Sequence, residues 1–477
     1  MEPQLPQPSP QKAFERHCAS LGKAVLDYTS VLAVHHYDAD GIAAASISAL
    51  ALKSKGVAFD LLCAQSLGED EIRTAARSNA SALLFFDLGA GRLSQLNSLA
   101  RLGKPVFVFD HHQSAKVEQP SPSLSVAIPQ QFGFDGAREA CASTASFFAF
   151  SPHVPISAAA RMSALALAGA CGDLQDRGGL AGANLAVLDS ARRLNAVSCA
   201  RGLRLYGTGL QPLPSMLAHS FDQYLPGISG SQKAASIFLR RNSIPFSQAR
   251  DGKKVFLRFC DLSNVDQARL VGALALHCAE RKVPAASMRA LVGEVLALSS
   301  PDWLGGSAST AGELATLLNA CGRQGCGGAA VSLCLGEKSA LEEALAALAS
   351  HRTVLGRGMW LARNRLEDFG GFCFLDARGE LPAASAGTIA GLLLQSGEAA
   401  QAKPVVVACL DDAGLSKVSA RAGQGCKSDV GAAFSCAAAQ AGGEGGGHAH
   451  AAAAKFHSGD EKLAQFLLAF NSALKTH

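Results

Sequence analysis

Acidic and imidazole side chains follow several apolar stretches in the first half of this chain of 477 residues. The clearest case is the β-branched and aromatic run 106–109, which is typical of a buried strand and ends in Asp110, His111 and His112. Side chains at such a strand end point into the crevice where α/β sheets bind their ligands. One Asp-His-His tripeptide is a weak signal, so its weight depends on matching groups at other strand ends.

Three further clusters contain the same residue types. They are, in chain order, His36, Asp38 and Asp40 after residues 31–34, Asp87 after residues 82–86, and Asp173 after a predicted helix. So many anionic groups at one sheet edge would repel one another unless cations neutralised them. Carboxylate and imidazole ligands without thiolates suit Mn²⁺ or a similar divalent ion. Two ions that share a carboxylate can activate a water and stabilise a displaced phosphate oxygen.

Each cluster taken alone also has a structural explanation. A single Asp after a strand or helix, such as Asp87 or Asp173, is usually a turn or capping residue. Either imidazole of His111 and His112 could be an ordinary, partly buried histidine. The four clusters indicate a metal centre only together, in order along one predicted sheet.

Strands and helices alternate in this half, which predicts an α/β fold with a parallel, doubly wound sheet. The predicted strands are 31–34, 57–62, 82–86, 106–109 and 124–128, and the predicted helices are 13–28, one ending near 55, 93–102, 155–170 and 184–194. In this arrangement the four clusters fall near one edge of the sheet.

We divide the chain into a disordered tail at 1–11, a first domain at 12–205, a connecting region at 206–287 and a smaller α/β domain at 288–477, with a cleft between the two domains. The connecting region has turn-forming prolines and no evident chemistry of its own. In the last domain we predict strands at 290–298, 329–335 and 405–410, helices at 312–321, 341–349 and 389–394, a glycine-rich loop at 442–448, a packed or helical alanine run at 451–454 and a final helix.

The composition limits the classes of protein. The formal net charge of +4 permits a local basic groove but is no global nucleic-acid signature. The 14 cysteines form no C-x-x-C pair, which argues against a zinc finger and fits a reducing cytoplasm. No apolar run reaches about 18 residues, so we expect no membrane span.

Taken together, the motifs resemble those of the DHH phosphoesterases. The matching pieces are His36-x-Asp38-x-Asp40-Gly41, the lone Asp87, Asp110-His111-His112 and the Gly169-x-x-Gly172-Asp173 segment. The second half resembles their DHHA1 domain through residues 315–323, Lys417-Val418-Ser419-x-Arg421 and Gly445-Gly446-Gly447-His448. The form of residues 36–41 and the segment 202–207 are similar to archaeal RecJ-like proteins.

The resemblance implies a site for two Mn²⁺ ions, with Mg²⁺ as an alternative. One ion would be held by His36 and Asp38, the other by Asp40, His111 and Asp173, and Asp87 would bridge them. His112 would contact the scissile phosphate or assist proton transfer, and Asp110 would orient the imidazoles. His35 competes with His36 for the first ligand position, and the family spacing favours His36.

The second half would bind substrate. The residues concerned are Asn319, Arg323, Arg421, Gly445, Gly446, Gly447 and His448. Glycines let a backbone approach a phosphate closely, and the basic groups would contact it. On residue type alone, a structural role is favoured for both basic residues: Arg323 as a surface ion-pair residue and His448 as a loop histidine. The family usually continues the GGGH segment with a later glycine, which residues 451–454 lack.

Three functions follow as expectations. The first is a Mn²⁺-dependent, RecJ-like exonuclease of single-stranded DNA or RNA in the cytoplasm. The second is a hydrolase of short oligonucleotides, cyclic dinucleotides or 3′,5′-bisphosphonucleotides. The third is a non-catalytic replisome component that binds GINS and the replicative helicase. Because every metal position is filled in this sequence, retained catalysis is favoured.

Overall fold

The computed structural model describes residues 9–399, 401–411, 413–423 and 425–476. Most of the predicted tail lies outside these residues, but Ser9 caps a helix that begins at Pro10, so residues 10 and 11 are helical rather than part of a tail. The chain forms two compact units, residues 1–210 with 293–348 and residues 211–292 with 349–477. Among the described residues, no helix has both the length and the apolar character that a membrane crossing needs.

Helices and strands alternate along the first part of the first unit. Its elements up to residue 203 are α1 (Pro10–Leu26), β1 (Ser30–His36), α2 (Ala39–Lys55), β2 (Ala58–Ala64), α3 (Glu69–Arg77), β3 (Ala82–Phe86), α4 (Leu93–Arg101), β4 (Val106–Phe109), β5 (Leu124–Ala127), α5 (Ala142–Phe150), α6 (Ile156–Gly172), α7 (Gly182–Arg193) and β6 (Val197–Leu203).

The central sheet has five parallel strands in the order β2-β1-β3-β4-β5. Alternate side chains of β1 enter two different cores: Val31 and Ala33 pack with α1, α2, α5 and α6, and Leu32 and Val34 with α3 and α4. The predicted parallel, doubly wound sheet is therefore confirmed. Strand β2 is added on one side of β1, and β3 to β5 are added on the other side, so the strand order switches between β1 and β3. Ligands of such folds bind outside the carboxyl ends of the strands at this switch point.

After residue 210 the chain enters the second unit, returns to the first at residue 293 and leaves it again after residue 348, within the helix Leu341–Arg365. The elements of this segment are α8 (Leu213–Ala218), α9 (Gln232–Arg241), β7 (Ser247–Arg250), β8 (Lys253–Phe256), α10 (Asn264–Glu280), α11 (Ala285–Ala290), β9 (Val292–Leu298), α12 (Ala311–Arg323), α13 (Gly327–Cys334) and α14 (Leu341–Arg365). Strands β6 and β9 form a two-stranded sheet, and so do β7 and β8.

Residues 293–348 pack with the first unit and not, as the predicted boundary had it, with residues after 348. The reason is apolar burial: Leu314, Leu317 and Leu318 of α12 are buried in the same core as α2 and α6. The predicted strand 329–335 is wrong, because these residues lie in α13. Its buried residues are 327, 330, 331, 333 and 334, which include the i, i+3, i+4, i+7 positions of a helical face and do not alternate as in a strand.

The second unit contains a six-stranded, mixed sheet in the order β10-β11-β12-β13-β15-β14. Its remaining elements are β10 (Glu367–Asp368), β11 (Cys373–Asp376), α15 (Ala386–Gln395), β12 (Val405–Leu410), β13 (Ser416–Arg421), α16 (Val430–Gln440), β14 (Glu444–His448), β15 (Ala451–Phe456) and α17 (Asp460–Ala473). The glycine-rich loop predicted at 442–448 and the helical alternative for the alanine run 451–454 are wrong, because β14 and β15 occupy these segments. The packed alternative for the alanine run is correct. Ala452 and Ala454 alternate into the core, which is the strand period.

Candidate metal centre

One imidazole, His36, and one carboxylate, Asp38, lie in the site at the carboxyl end of β1. Nδ1 of His36 lies 2.9 Å from Oδ2 of Asp38 and 3.0 Å from Oδ2 of Asp87. Asp38 is the residue before α2, and its other oxygen accepts a hydrogen bond from the Gly41 amide at 3.1 Å. The capping bond fixes Asp38, so the carboxylate and the ring of His36 share one side of the strand end.

His35 does not take part in this arrangement. Its ring is buried, and Nδ1 bonds with the carbonyl oxygen of His36 at 2.8 Å. Burial lowers the pKa of His35 to about 4, so the ring is neutral at physiological pH. Of the two imidazoles, His36 is the one that faces the carboxylates.

Asp87 occupies the centre of the site in an unusual backbone conformation. It follows β3, its φ is 59°, and its amide donates to the carbonyl of Phe109 at 2.9 Å. A left-handed conformation is uncommon for residues other than glycine, and asparagine and aspartate tolerate it best. The turn aims both carboxylate oxygens at histidines: Oδ2 at His36 and Oδ1 at Nε2 of His111, 3.2 Å away.

Asp110 organises the two histidines that follow it. One oxygen accepts from the Ala90 amide at 2.7 Å. The other accepts from the amides of His111 and His112 at 2.7 and 3.1 Å and contacts Nδ1 of His112 at 2.8 Å. Burial opposes ionisation of Asp110, but these bonds, with His112 first, hold its pKa below the ordinary value. With both oxygens engaged, Asp110 supports the histidines and does not face the metal groups.

The ring of His111 is fixed by a bond on its far side. Nδ1 lies 2.6 Å from the carbonyl oxygen of Gly136, which can only accept, so Nδ1 carries the proton when the ring is neutral. Nε2 then presents a lone pair to three carboxylates. It lies 3.2 Å from Asp87 Oδ1, 3.1 Å from Asp173 Oδ2 and 4.0 Å from Asp40 Oδ2.

Asp40 is fully buried in the first turn of α2. Its two oxygens accept hydrogen bonds from the amides of Ala142 and Ser143, at 2.7 and 3.0 Å. These amides begin α5, where unpaired donors and the helix dipole stabilise an anion. Sequence reasoning missed this contact, because no motif marks the start of α5 as a partner of residue 40.

The donor atoms fit divalent cations. Oδ1 of Asp87 and Oδ2 of Asp173 are buried without a hydrogen-bond donor, although both lie near Nε2 of His111. When the ring is neutral, all three atoms are acceptors, and three converging lone pairs need a cation between them. The residues that could hold a metal ion form three groups: His36, Asp38 and Asp87; Asp40, His111 and Asp173; and Asp87, His111 and His112.

The titrating groups also show that the site is short of positive charge. Burial and the nearby carboxylate of Asp38 raise the pKa of Asp87 to about 7. Burial and the carboxylate of Asp40 raise the pKa of Asp173 to about 6. Burial lowers the pKa of His111, but its contacts with Asp173 and Asp87 outweigh burial and raise it, so a proton on Nε2 competes with a metal ion there. A bound divalent ion would supply the charge in place of these protons.

A buried amide network lies behind His111. Nε2 of Gln175 donates to the same Gly136 carbonyl at 3.0 Å, and its Oε1 accepts from Nδ2 of Asn184 at 2.6 Å. Asn184 in turn accepts from the hydroxyl of Thr144 at 2.5 Å. The network holds the Gly136 carbonyl in place and therefore orients the ring of His111.

We expect Gln175→Met to weaken Mn²⁺ binding by about 10- to 100-fold, as is typical when support behind a metal-binding histidine is lost. Isothermal titration with Mn²⁺ measures the affinity. Ser163→Ala is the matched control, since it also removes a buried polar group of this unit, a hydroxyl bonded to Ala160. If Gln175→Met and Ser163→Ala lose similar thermal stability and bind Mn²⁺ with equal affinity, Gln175 has no positioning role.

Asn319 and Arg323, both predicted to contact substrate, lie on α12 in the first unit. Oδ1 of Asn319 accepts from the amide of Ala39 at 3.0 Å, directly between Asp38 and Asp40 in sequence. Gly322 approaches the carbonyl of Tyr37 so closely that any side chain would overlap it. Helix α12 therefore braces the turn that carries the first ligand group, and Arg323 follows at its end.

The other predicted substrate residues lie on β13 and β14 of the second unit, which are separated by β15. Arg421 of β13 pairs with Ala451 of β15, and Ala451 pairs with His448 of β14. Residues paired across strands point to the same face of a sheet, so Arg421 and His448 flank one alanine. Gly447 has a φ of 152° and lies against the carbonyl of Ala451, so a side chain has no room there. The glycines thus allow close pairing at the sheet edge.

Comparison with known proteins agrees with these observations. Residues 205–292 match the model of the DHH-CID domain, and residues 375–476 match that of the DHHA1 domain. No curated protein matches the sequence.

Solved structures share the fold at low identity. An exonuclease RecJ bound to manganese is 15% identical with a TM-score of 0.56, and the alignment covers 99% of this chain and 96% of that one. CDC45 from Entamoeba histolytica is 13% identical with a TM-score of 0.64, covering 98% and 99%. RecJ from Thermus thermophilus in complex with Mn²⁺ is 15% identical with a TM-score of 0.54, covering 100% of this chain and 56% of that one. The chain therefore contains regions similar to the DHH-CID and DHHA1 domains, and it shares its fold with the RecJ and CDC45 structures.

Proposed function

We propose that this chain is a Mn²⁺-dependent phosphodiesterase that hydrolyses single-stranded DNA or RNA from an end. The observation that carries the proposal is the convergence of two buried oxygens without a donor, Oδ1 of Asp87 and Oδ2 of Asp173, on Nε2 of His111. A second group, formed by His36 and Asp38, lies on the other side of Asp87. Asp87 faces both groups and is the natural bridge. Two divalent ions bound there would activate a water and neutralise charge on phosphate oxygens.

The residues of the chain have separable roles in this proposal. His36, Asp38, Asp40, His111 and Asp173 would hold the ions, with Asp87 shared. His112 differs from them, because its side chain is 56% exposed and Nδ1 is bonded to Asp110. That bond raises the pKa of His112, so the ring retains a proton to donate on its exposed side. His112 would contact a phosphate oxygen or protonate the departing oxygen.

The second unit would bind the strand. Arg421 and His448 are the proposed phosphate contacts, together with the backbone of residues 445–447 at the edge of the sheet. An arginine offers paired donors to a phosphate, and a glycine strand presents its amides without hindrance. Asn319 and Arg323, on the first unit, remain proposed substrate contacts as well.

The decisive assay compares 5′- and 3′-labelled DNA and RNA oligonucleotides of several lengths with Mn²⁺. Stepwise shortening from one end supports the exonuclease. Turnover restricted to substrates of two to five nucleotides, cyclic dinucleotides or 3′,5′-bisphosphonucleotides would support the short-substrate alternative instead. If none of these compounds is hydrolysed with Mn²⁺ or Mg²⁺, the proposal fails.

A second candidate is a non-catalytic protein of the replisome that binds GINS and the replicative helicase. The fold likeness to CDC45 is the observation in its favour. The complete set of carboxylates and imidazoles favours catalysis over this candidate, because buried acceptors without a cation are unfavourable. Binding to GINS with no hydrolysis of any substrate would favour it.

A further inference from the structure

A basic hairpin in the second unit forms its own two-stranded sheet. Strands β7 and β8 pair antiparallel, with Ser247 opposite Phe256 and Arg250 opposite Lys253. Asp251 and Gly252 connect them, and both have positive φ, 50° and 71°. This is the Asp-Gly turn that matches the twist of a hairpin. The local sequence therefore encodes the hairpin by itself.

Its tip is strongly cationic. Arg250, Lys253 and Lys254 are all exposed, and Asp251 is the one carboxylate among residues 246–256. The nearby Arg258 is already engaged, since Nη2 contacts Asp261 at 2.8 Å. Three cations on a segment this short form a local positive field, even though the net charge of the whole chain is small.

Exposed aromatic surface lies beside these cations. The rings of Phe246 and Phe256 are stacked at 6.3 Å and 20°, and Phe256 is 45% exposed. The ammonium of Lys254 lies 5.0 Å from the centre of the Phe256 ring. Val255, on the opposite face of the hairpin, is 39% exposed.

A purely structural role accounts poorly for this composition. Side chains of β7 and β8 are exposed along nearly their whole length, so the hairpin buries little apolar surface of its own. A two-stranded hairpin in water is marginally stable, and the stacked Phe246 and Phe256 stabilise it. That stacking accounts neither for the 45% exposure of Phe256 nor for the three cations near the tip. A flat aromatic pair beside phosphate-binding cations is instead the combination by which proteins bind single strands.

We propose that the hairpin 246–256 is a contact site for single-stranded nucleic acid. A base stacks on Phe256 and Phe246, while Arg250, Lys253 and Lys254 contact the flanking phosphates. The inference deepens the proposed function, on which it rests for the kind of ligand: the hairpin would add affinity for single strands.

The test measures binding of a fluorescein-labelled single-stranded oligonucleotide, about 20 nucleotides long, to the full chain without divalent metal. For Arg250→Gln/Lys253→Gln/Lys254→Gln we expect at least about tenfold weaker binding of this 20-mer. The salt dependence should also flatten, by a slope of about 2, because each single-strand phosphate contact contributes about 0.7. Phe256→Ser should cost about tenfold without changing the slope, since it removes stacking and no charge.

The control is Lys12→Gln/Lys23→Gln/Lys475→Gln, which removes the same charge from exposed positions elsewhere. Equal losses in control and hairpin variants would overturn the proposal, and so would unchanged binding of the 20-mer. A third outcome would also overturn the proposal: polyglutamate displaces the labelled strand as well as unlabelled strand does, and Phe256→Ser does not change binding. That outcome would point to an acidic protein partner. Wild-type binding that depends on the hairpin without any hydrolysis would uphold this inference while the proposed function failed.

Discussion

Replacing Asp87 by asparagine is expected to reduce Mn²⁺-dependent hydrolysis by roughly a thousandfold or more, because the loss of a shared ligand removes several kcal/mol of charge stabilisation. Asparagine is the appropriate substitution. The φ of residue 87 is 59°, and asparagine tolerates that conformation, whereas alanine would add backbone strain to the chemical change. Single-turnover assays on a labelled single strand measure the effect.

The same substitution should stabilise the metal-free protein. Burial and Asp38 raise the pKa of Asp87 to about 7, so ionising it at pH 8 costs folding free energy on the order of a few kcal/mol. A neutral amide removes that cost. Thermal unfolding in the presence of a chelator should therefore show a higher melting temperature for Asp87→Asn than for the wild type.

Asp189→Asn on α7 is the control, since that carboxylate is exposed and lies outside the site. It should change neither activity nor stability measurably. An Asp87→Asn protein that keeps activity within tenfold of wild type would refute the bridging role. A metal-free variant less stable than wild type would show that the site is not short of positive charge.

Mn²⁺ should raise the melting temperature of the protein more at pH 8 than at pH 5. In the unfolded chain both carboxyl groups titrate at about 3.9, whereas the pKa of Asp87 is about 7 and that of Asp173 about 6 in the fold. The unfolded chain thus releases its protons first, so the free energy of unfolding of the metal-free protein falls as pH rises from about 4 to about 7. Mn²⁺ binds the ionised form and restores that stability, by about 2.7 kcal/mol at a concentration of about 100 times Kd.

Scanning calorimetry at both pH values, with Mn²⁺ and with a chelator, gives the two shifts. Asp173→Asn should lose most of the pH 8 shift, and Asp189→Asn should retain it. A shift that is equal at the two pH values, or that persists in Asp173→Asn, would be incompatible with an ion bound by these carboxylates.

The first half of the fold was predictable because its signals are local. Apolar runs such as 82–86 and 106–109 are too short and too buried for anything but strands of a parallel sheet, and each ends in a polar group. The strand-end position also explains why His36, Asp87 and His111 could be grouped from the sequence alone. The resemblance favours His36 over His35, and the structure adds the reason, because the His36 ring faces Asp38 and Asp87 whereas the His35 ring is buried.

Other features could not be predicted, since their signals are distant in sequence or ambiguous. Residues 327–334 are apolar at nearly every position, so neither the strand nor the helix period is visible. The alanine run 451–456 has high helix propensity, yet pairing with β13 and β14 overrides it. The bond from Ala39 to Asn319 joins residues 280 apart, and no local pattern marks such a contact.

That last bond has a consequence for synthesis on the ribosome. The parallel sheet and α1 to α7 are complete by residue 203, but α12, which braces the turn between His36 and Asp40, is translated more than a hundred residues later. Domains usually fold as their chains emerge, and contacts this distant in sequence form slowly. The core of the first unit therefore cannot be completed until residues 293–348 have left the ribosome, and until then the apolar face of α2 and α6 is uncovered. A fragment that stops near residue 205 would lack α12 and α13, so the apolar face of α2 and α6 would stay exposed to water. We expect such a fragment to need a chaperone or to aggregate.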